Sequence, residues 1–182
     1  MDATSADRQL FDDTLSNELV LPLGLEPLRP ASLAGSEMRL RAIALVEDGR
    51  SDDSEERSEL SATVHRLEAK LDLLLGLSAS LAALHRPPLP PANVRLSARG
   101  LRVELPASAT LPSPLAAVTI QAADWLPDPV LLPARLLATA TGDGSQYLWL
   151  AFDNLSDGLQ TELERYVFRL HRRQIASSRR QR

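Results

Sequence analysis

Between residues 53 and 85 leucine returns every seventh position, at Leu60, Leu67, Leu74 and Leu81. With those positions as d of a heptad, Val64, Leu71, Ser78 and His85 fall at a, a seam sustained over about four repeats. No other feature constrains the chain so strongly. It predicts a single helix of about 33 residues, roughly 50 Å long. Asp53 and Glu56 have the spacing of a capping box at its start, and Pro87 and Pro88 forbid its continuation. A rod of that length cannot lie end to end against a domain of this size, so it is expected to meet copies of itself.

The flanks of the seam bear on how many. Early e and g positions are polar (Ser61, Glu68, Thr63, Lys70), whereas later ones are apolar (Leu75, Ala82, Leu77, Leu84). A two-stranded coil buries only a and d, so the widened stripe asks for a third or fourth helix. The alternative is one amphipathic helix lying along its own domain.

The 182 residues suffice for one domain with an appendage, or two small domains. The absence of cysteine excludes disulfides, thiolate metal sites and a cysteine nucleophile. The opening MDATSADRQLFDD is acidic and has no apolar core, so no signal peptide is expected. No apolar run reaches the roughly 18 residues that span a bilayer, and a cytoplasmic protein without membrane insertion is the expectation. A net charge of -4 argues against general nucleic-acid binding.

Residues 1–9 are expected to be disordered. Glu18–Leu23 reads as a strand that Pro22, Pro27 and Pro30 would end or place at an edge. Ser36 is placed to cap a short helix running to about Glu47. Glu47–Glu59 holds seven acids, which read as a solvated turn or the first turns of the long helix. Without histidine or a loop motif, no metal site is expected there. After the stiff HRPPLPPAN connection come short strands: Asn93–Ser97, Leu101–Leu105, Leu115–Gln121, Val130–Thr141 and Gln146–Asp153. Pro133 suggests a bulge or edge in the fourth, and TGDGS contains a hairpin turn. A small antiparallel barrel or sandwich follows. Asp153 or Ser156 can cap a final helix with the stripe Leu159, Leu163, Val167 and Leu170. Its end is rich in arginine (Arg169, Arg172, Arg173, Arg179, Arg180, Arg182), read as cations on a helix C-terminus or as a patch for an anionic partner.

The segment Arg95-Leu96-Ser97-Ala98-Arg99-Gly100, with the strand meander and the ending LERYVFRLHRRQIA, resembles the PilZ domain. The resemblance covers residues 93–175 best. It implies an α+β fold, a small antiparallel six-stranded β-barrel with a C-terminal helix, here carrying a long inserted heptad-repeat helix. It is also similar to a divergent subclass in which such helices assemble a tetramer. The domains expected are a disordered stretch at 1–9, a first strand or edge segment at 10–31, and a helical oligomerisation insertion at 32–86. The barrel with its helix follows at 92–176, and a disordered basic tail at 177–182.

PilZ domains are receptors for cyclic di-GMP, with an RxxxR pair near the domain start and a later [D/N]xSxxG motif. Ser97 and Gly100 match the second, while Arg95 stands where the family has Asp or Asn. A guanidinium offers no acceptor to guanine. No RxxxR precedes the barrel: Arg169 and Arg173 have the spacing on the terminal helix, and Arg39 lacks a partner at Gly35 or Ile43. By resemblance the candidate ligand contacts are Arg95, Ser97, Arg99 and Gly100, with weak or absent cyclic di-GMP binding. Gly100 is expected to serve the turn through a positive φ.

His65, His85 and His171 stand in no nucleophilic pattern, and there is no glycine-rich phosphate loop, so neither catalytic residue nor cofactor is expected. His85, at an a position, reads as a solvated helix end or as a polar, pH-sensitive layer. The reading is a non-enzymatic, PilZ-like oligomeric adaptor that binds an unidentified signalling protein, in second-messenger control of motility, surface behaviour or virulence. The alternatives are a genuine cyclic di-GMP receptor of altered geometry and a purely structural assembly module.

Overall fold

The computed structural model describes residues 1–27, 35–49, 88–113, 115–126 and 128–180, together with 64, 67, 70, 71, 73, 74, 76–78, 81 and 84. Six antiparallel strands close into a barrel in the order β1-β2-β3-β6-β5-β4. They are β1 (Ser16–Glu26), β2 (Pro91–Ser97), β3 (Gly100–Pro106), β4 (Ala117–Ile120), β5 (Val130–Gly142) and β6 (Ser145–Phe152). Alternation decides which side chains fill it: Val94, Leu96, Leu101 and Val103 are buried, while Asn93, Arg95, Arg102 and Glu104 lie on the outer wall. Leu132, Leu148, Leu150 and Ile120 complete the interior. Asp143 and Gly144 both have positive φ, giving the type I′ turn expected between β5 and β6.

Pro27 follows the last residue of β1, as expected of a proline that ends a strand, whereas Pro22 marks no edge. β1 pairs with β2 as far as Pro22, opposite Pro91, and from Leu23 onward pairs with β4. Pro22 therefore stands where the strand changes partner, and its carbonyl still accepts from Gln121 N at 3.0 Å. In β5 the irregularity falls between Leu136 and Ala138, not at Pro133. The extra residue turns Leu137 and Ala138 together toward a second apolar cluster outside the barrel.

Among the described residues, three helices pack on the barrel. Residues 1–9, expected to be disordered, belong largely to a helix, α1 (Ala3–Phe11), whose first turn is capped by Asp2 Oδ1 accepting from Ser5 N at 2.7 Å. Its Ala6, Leu10 and Phe11 find an apolar wall that composition alone does not reveal. In α2 (Ser36–Gly49), Ser36 does not act as the expected cap; its hydroxyl donates to Leu131 O and accepts from Leu131 N, pinning the helix to β5. Leu40 and Ile43 are fully buried in the barrel core, so the insertion expected over 32–86 is not all assembly surface: its first part belongs to the barrel.

The terminal helix, α3 (Asp157–Arg180), starts at the expected Ser156 cap, which accepts from Leu159 N at 3.1 Å. It buries Leu159, Leu163, Tyr166 and Val167, and Tyr166 Oη donates to Ala122 O at 3.2 Å. The tail expected to be disordered from 177 is helical through 180; Ser177 and Ser178 bond back to the carbonyls of Arg173 and Gln174. Residues 181 and 182 lie outside the described residues.

Of the seam, Val64, Leu67, Leu71, Leu74, Ser78 and Leu81 are helical and exposed in the single chain, as are Leu73, Leu77 and Leu84. Leu60, His65, His85 and most of the acidic run lie outside the described residues.

Gly100 corrects one expectation. Its φ is not positive; only Gly35 and Gly144 among the described glycines have that geometry. A Cβ on Gly100 would instead collide with the Leu150 carbonyl oxygen of β6 and press on Leu10 of α1. Gly100→Ala is expected to cost about 2 kcal/mol through overpacking against backbone that cannot retreat. Urea denaturation checks this, and an unchanged midpoint would show that the strands give way freely.

Candidate functional site

The β2–β3 hairpin places Arg95 and Arg102 directly opposite each other across the ladder. Like charges so placed repel, and the pair needs an anion. Glu18 of β1, in register with Arg95, supplies one carboxylate, 3.6 Å from Arg102 Nη2. The nearer one comes from α1: Asp7 accepts from Arg95 Nη1 at 3.1 Å and lies 3.7 Å from Arg102 Nη1. Trp149, opposite Arg102 on β6, donates its indole Nε1 to the same carboxylate at 3.0 Å. The Arg95 guanidinium also lies over the Phe11 ring, 4.2 Å from its centroid.

All four candidate ligand residues meet this helix or the turn after it. Ser97, fully buried, donates its hydroxyl to Leu10 O at 2.8 Å and accepts from Arg99 N at 3.1 Å. Arg99 Nη1 donates to Asp12 O at 3.0 Å. Gly100 packs against Leu10, and Arg95 is held by Asp7, Phe11 and Ser16 Oγ. The hairpin thus carries Arg95, Ser97, Arg99 and Gly100 in one turn; α1 buries Ser97 and Gly100, while Arg95 is partly exposed and Arg99 exposed.

Asp7, Leu10, Phe11, Arg102 and Trp149 were not legible as parts of this site. One signal was available: Arg95 and Arg102 are equidistant from the centre of a two-residue turn, so they must pair and must share a counter-charge. Which carboxylate answers is decided by α1.

At this site Arg95 and Arg102, with Glu18, Asn93, Glu104 and Tyr147, line an open hollow of about 370 Å³ on the outer wall. Hydrogen bonds from Ser145 and Asn93 hold the Glu104 carboxyl below the usual carboxylate range, and the Glu104 charge in turn raises the Tyr147 phenol. Within it Tyr147 Oη donates to Glu104 Oε1 at 3.4 Å. Among the described residues no cluster of histidine and acid side chains is arranged to hold a metal ion, and no helix is long and apolar enough to cross a membrane. His171 meets Asn17, 3.3 Å from ring Nδ1 to Oδ1, and Arg39 pairs with Asp128 at 3.4 Å.

The family model described as "Atypical PilZ domain, cyclic di-GMP receptor" matches residues 40–180. Among solved structures, a pathogenic protein from Xanthomonas campestris is 45% identical, with a TM-score of 0.81 over 96% of this chain and 97% of its own. It is described as a new tetrameric PilZ domain self-assembled via an unusual helical bundle. YcgR from Escherichia coli in complex with c-di-GMP is 21% identical, with a TM-score of 0.41 over 50% of this chain and 40% of its own. The PilZ domain of YcgR with c-di-GMP is 19% identical, with a TM-score of 0.38 over 48% and 76%. No curated protein matches the chain.

Removing the shared carboxylate should expose the repulsion it neutralises. Asp7→Ala is expected to lower stability by about 1 kcal/mol, a modest figure because these groups are partly solvated. The loss should shrink in high salt, which screens Arg95 from Arg102. Denaturation of both proteins at low and high salt measures this; a salt-independent loss would assign Asp7 a packing role instead.

Proposed function

This chain belongs to the atypical PilZ domain family, and we propose that it acts there as a non-enzymatic, oligomeric adaptor that binds a protein partner and little or no cyclic di-GMP. One observation carries the reading: of the two residues that match the family's motif, Ser97 is buried and bonded to Leu10 O of α1 and Gly100 packs against Leu10, while Arg95, where the motif has an acid or amide, is engaged by Asp7. Guanine would have to displace a helix to reach a serine with no exposed surface, and would then face a guanidinium where an acceptor is needed.

Assembly through the heptad seam completes the proposal. Leu67, Leu71, Leu74 and Leu81 are each more than half exposed in the single chain. A leucine stripe of that kind is unfavourable in water and asks for partners. The similarity to a tetramer built by a helical bundle favours four copies. Four barrels on one bundle would raise the apparent affinity for a multivalent partner with no new contact.

The family's description as a cyclic di-GMP receptor favours a second reading, in which Arg95 and Arg99 contact the nucleotide in a changed geometry. Calorimetric titration with cyclic di-GMP at moderate salt separates the two. No heat at micromolar concentrations is the expected result, and micromolar or tighter binding overturns the adaptor. For the assembly, light scattering should report four chains for the native protein and a lower mass for the double variant Leu67→Glu, Leu74→Glu. An unchanged mass would sink the seam as the interface.

A further inference from the structure

We propose that the groove beneath α1 is a docking site for an acidic amphipathic helix of the pattern Asp-x-x-Leu-Phe, and that α1 holds it shut by presenting that pattern in cis. The proposal rests on the adaptor reading and specifies the chemistry of its partner.

The groove and its occupant are separable from the fold around them. Ala6, Leu10 and Phe11 pack with Leu137, Ala138, Trp149 and Ala151 in a cluster distinct from the barrel core. Lifting α1 therefore leaves Leu96, Leu101, Leu148 and Leu150 inside the barrel, and the Ser97 hydroxyl, which loses Leu10 O, keeps Gly100 O as an acceptor at 3.2 Å. A helix of nine residues is too short to be stable alone, so the groove supplies its order. The ionic contacts are within reach of water: the side chains of Asp7, Arg95 and Arg102 are 34%, 28% and 32% exposed. Such elements open locally at less free energy than global unfolding requires.

The occupant also defines what the groove recognises. Asp7, Leu10 and Phe11, at i, i+3 and i+4, share one helical face. Their carboxylate meets two guanidiniums and an indole N–H, while Leu10 and Phe11 meet the apolar floor made where the β5 bulge turns Leu137 and Ala138 outward. Residues 1–13 carry four aspartates against one arginine, matching the charge of the wall they meet. A small anion would satisfy the guanidiniums and leave the apolar floor bare. A helix with this pattern satisfies both.

A tethered α1 competes at an effective concentration near millimolar, and a partner helix sees its affinity reduced by the closed fraction. The test uses a fluorescein-labelled peptide of residues 1–13 and the full chain carrying Leu10→Asp, which expels α1 without altering the barrel's side of the groove. Fluorescence anisotropy should show the variant binding the peptide at least about tenfold more tightly than the native chain does. Adding Arg95→Glu, or placing Asp7→Lys in the peptide, should abolish that binding. A folded Leu10→Asp chain that ignores the peptide, that binds the Asp7→Lys peptide equally, or that takes cyclic di-GMP in its place overturns the proposal.

Should Leu10→Asp fail to fold, hydrogen exchange on the native chain decides. Amides of α1 exchanging well ahead of β3 and β6 support a removable helix, and exchange in step with the barrel overturns it. Cyclic di-GMP binding to the native protein would instead sink the adaptor reading, leaving helix exchange to be judged on the peptide alone.

Discussion

A six-stranded sheet closed on itself leaves an interior only wide enough for side chains. Leucine, isoleucine and valine from all six strands fill it. Closure also removes the free edges to which a partner strand could add. Each helix must therefore find its partner on the rim or the outer wall. β1 makes closure possible by dividing its ladder at Pro22, where the missing N–H costs least because the strand is passing from β2 to β4.

The three helices meet this constraint in different ways. α2 and α3 are parts of the barrel's own core, through Leu40 and Ile43 in one and Leu163 and Tyr166 in the other. Ser36 and Asn17 tie them to the sheet through buried hydrogen bonds to Leu131 and Val167. α1 rests on a separate patch, with Asp7 between two opposed arginines and a buried hydrogen bond from Ser97 to Leu10 O. That separate patch is what the proposed exchange of α1 relies on.

The outer wall and the heptad seam serve different ends of one design. In the proposed assembly other helices cover the exposed leucine stripe of the seam, which then sets how many barrels travel together. In the proposed docking, the wall under α1 sets what each barrel meets. Repetition and recognition are thereby carried by different segments, and a change in one can leave the other intact.

How much of this was legible in the chain follows from the range of each interaction. The heptad stripe, the β2–β3 and β5–β6 hairpins and the Ser156 cap depend on neighbours a few residues away, and periodicity and turn residues announce them. The loss of an acceptor at Arg95 was equally plain, because it is a matter of residue type. α1 was invisible: nine residues of mixed polarity are no helix until Trp149 and Leu137, some 130 residues on, offer a wall. The same distance hid the roles of Ser36, Gly100 and Asp7, each set by a strand or helix remote in sequence. What the chain determined alone was local geometry and the donors and acceptors each position offers. Only the tertiary structure decided which face is covered and by what, because burial and charge pairing are settled between segments that the chain order keeps apart.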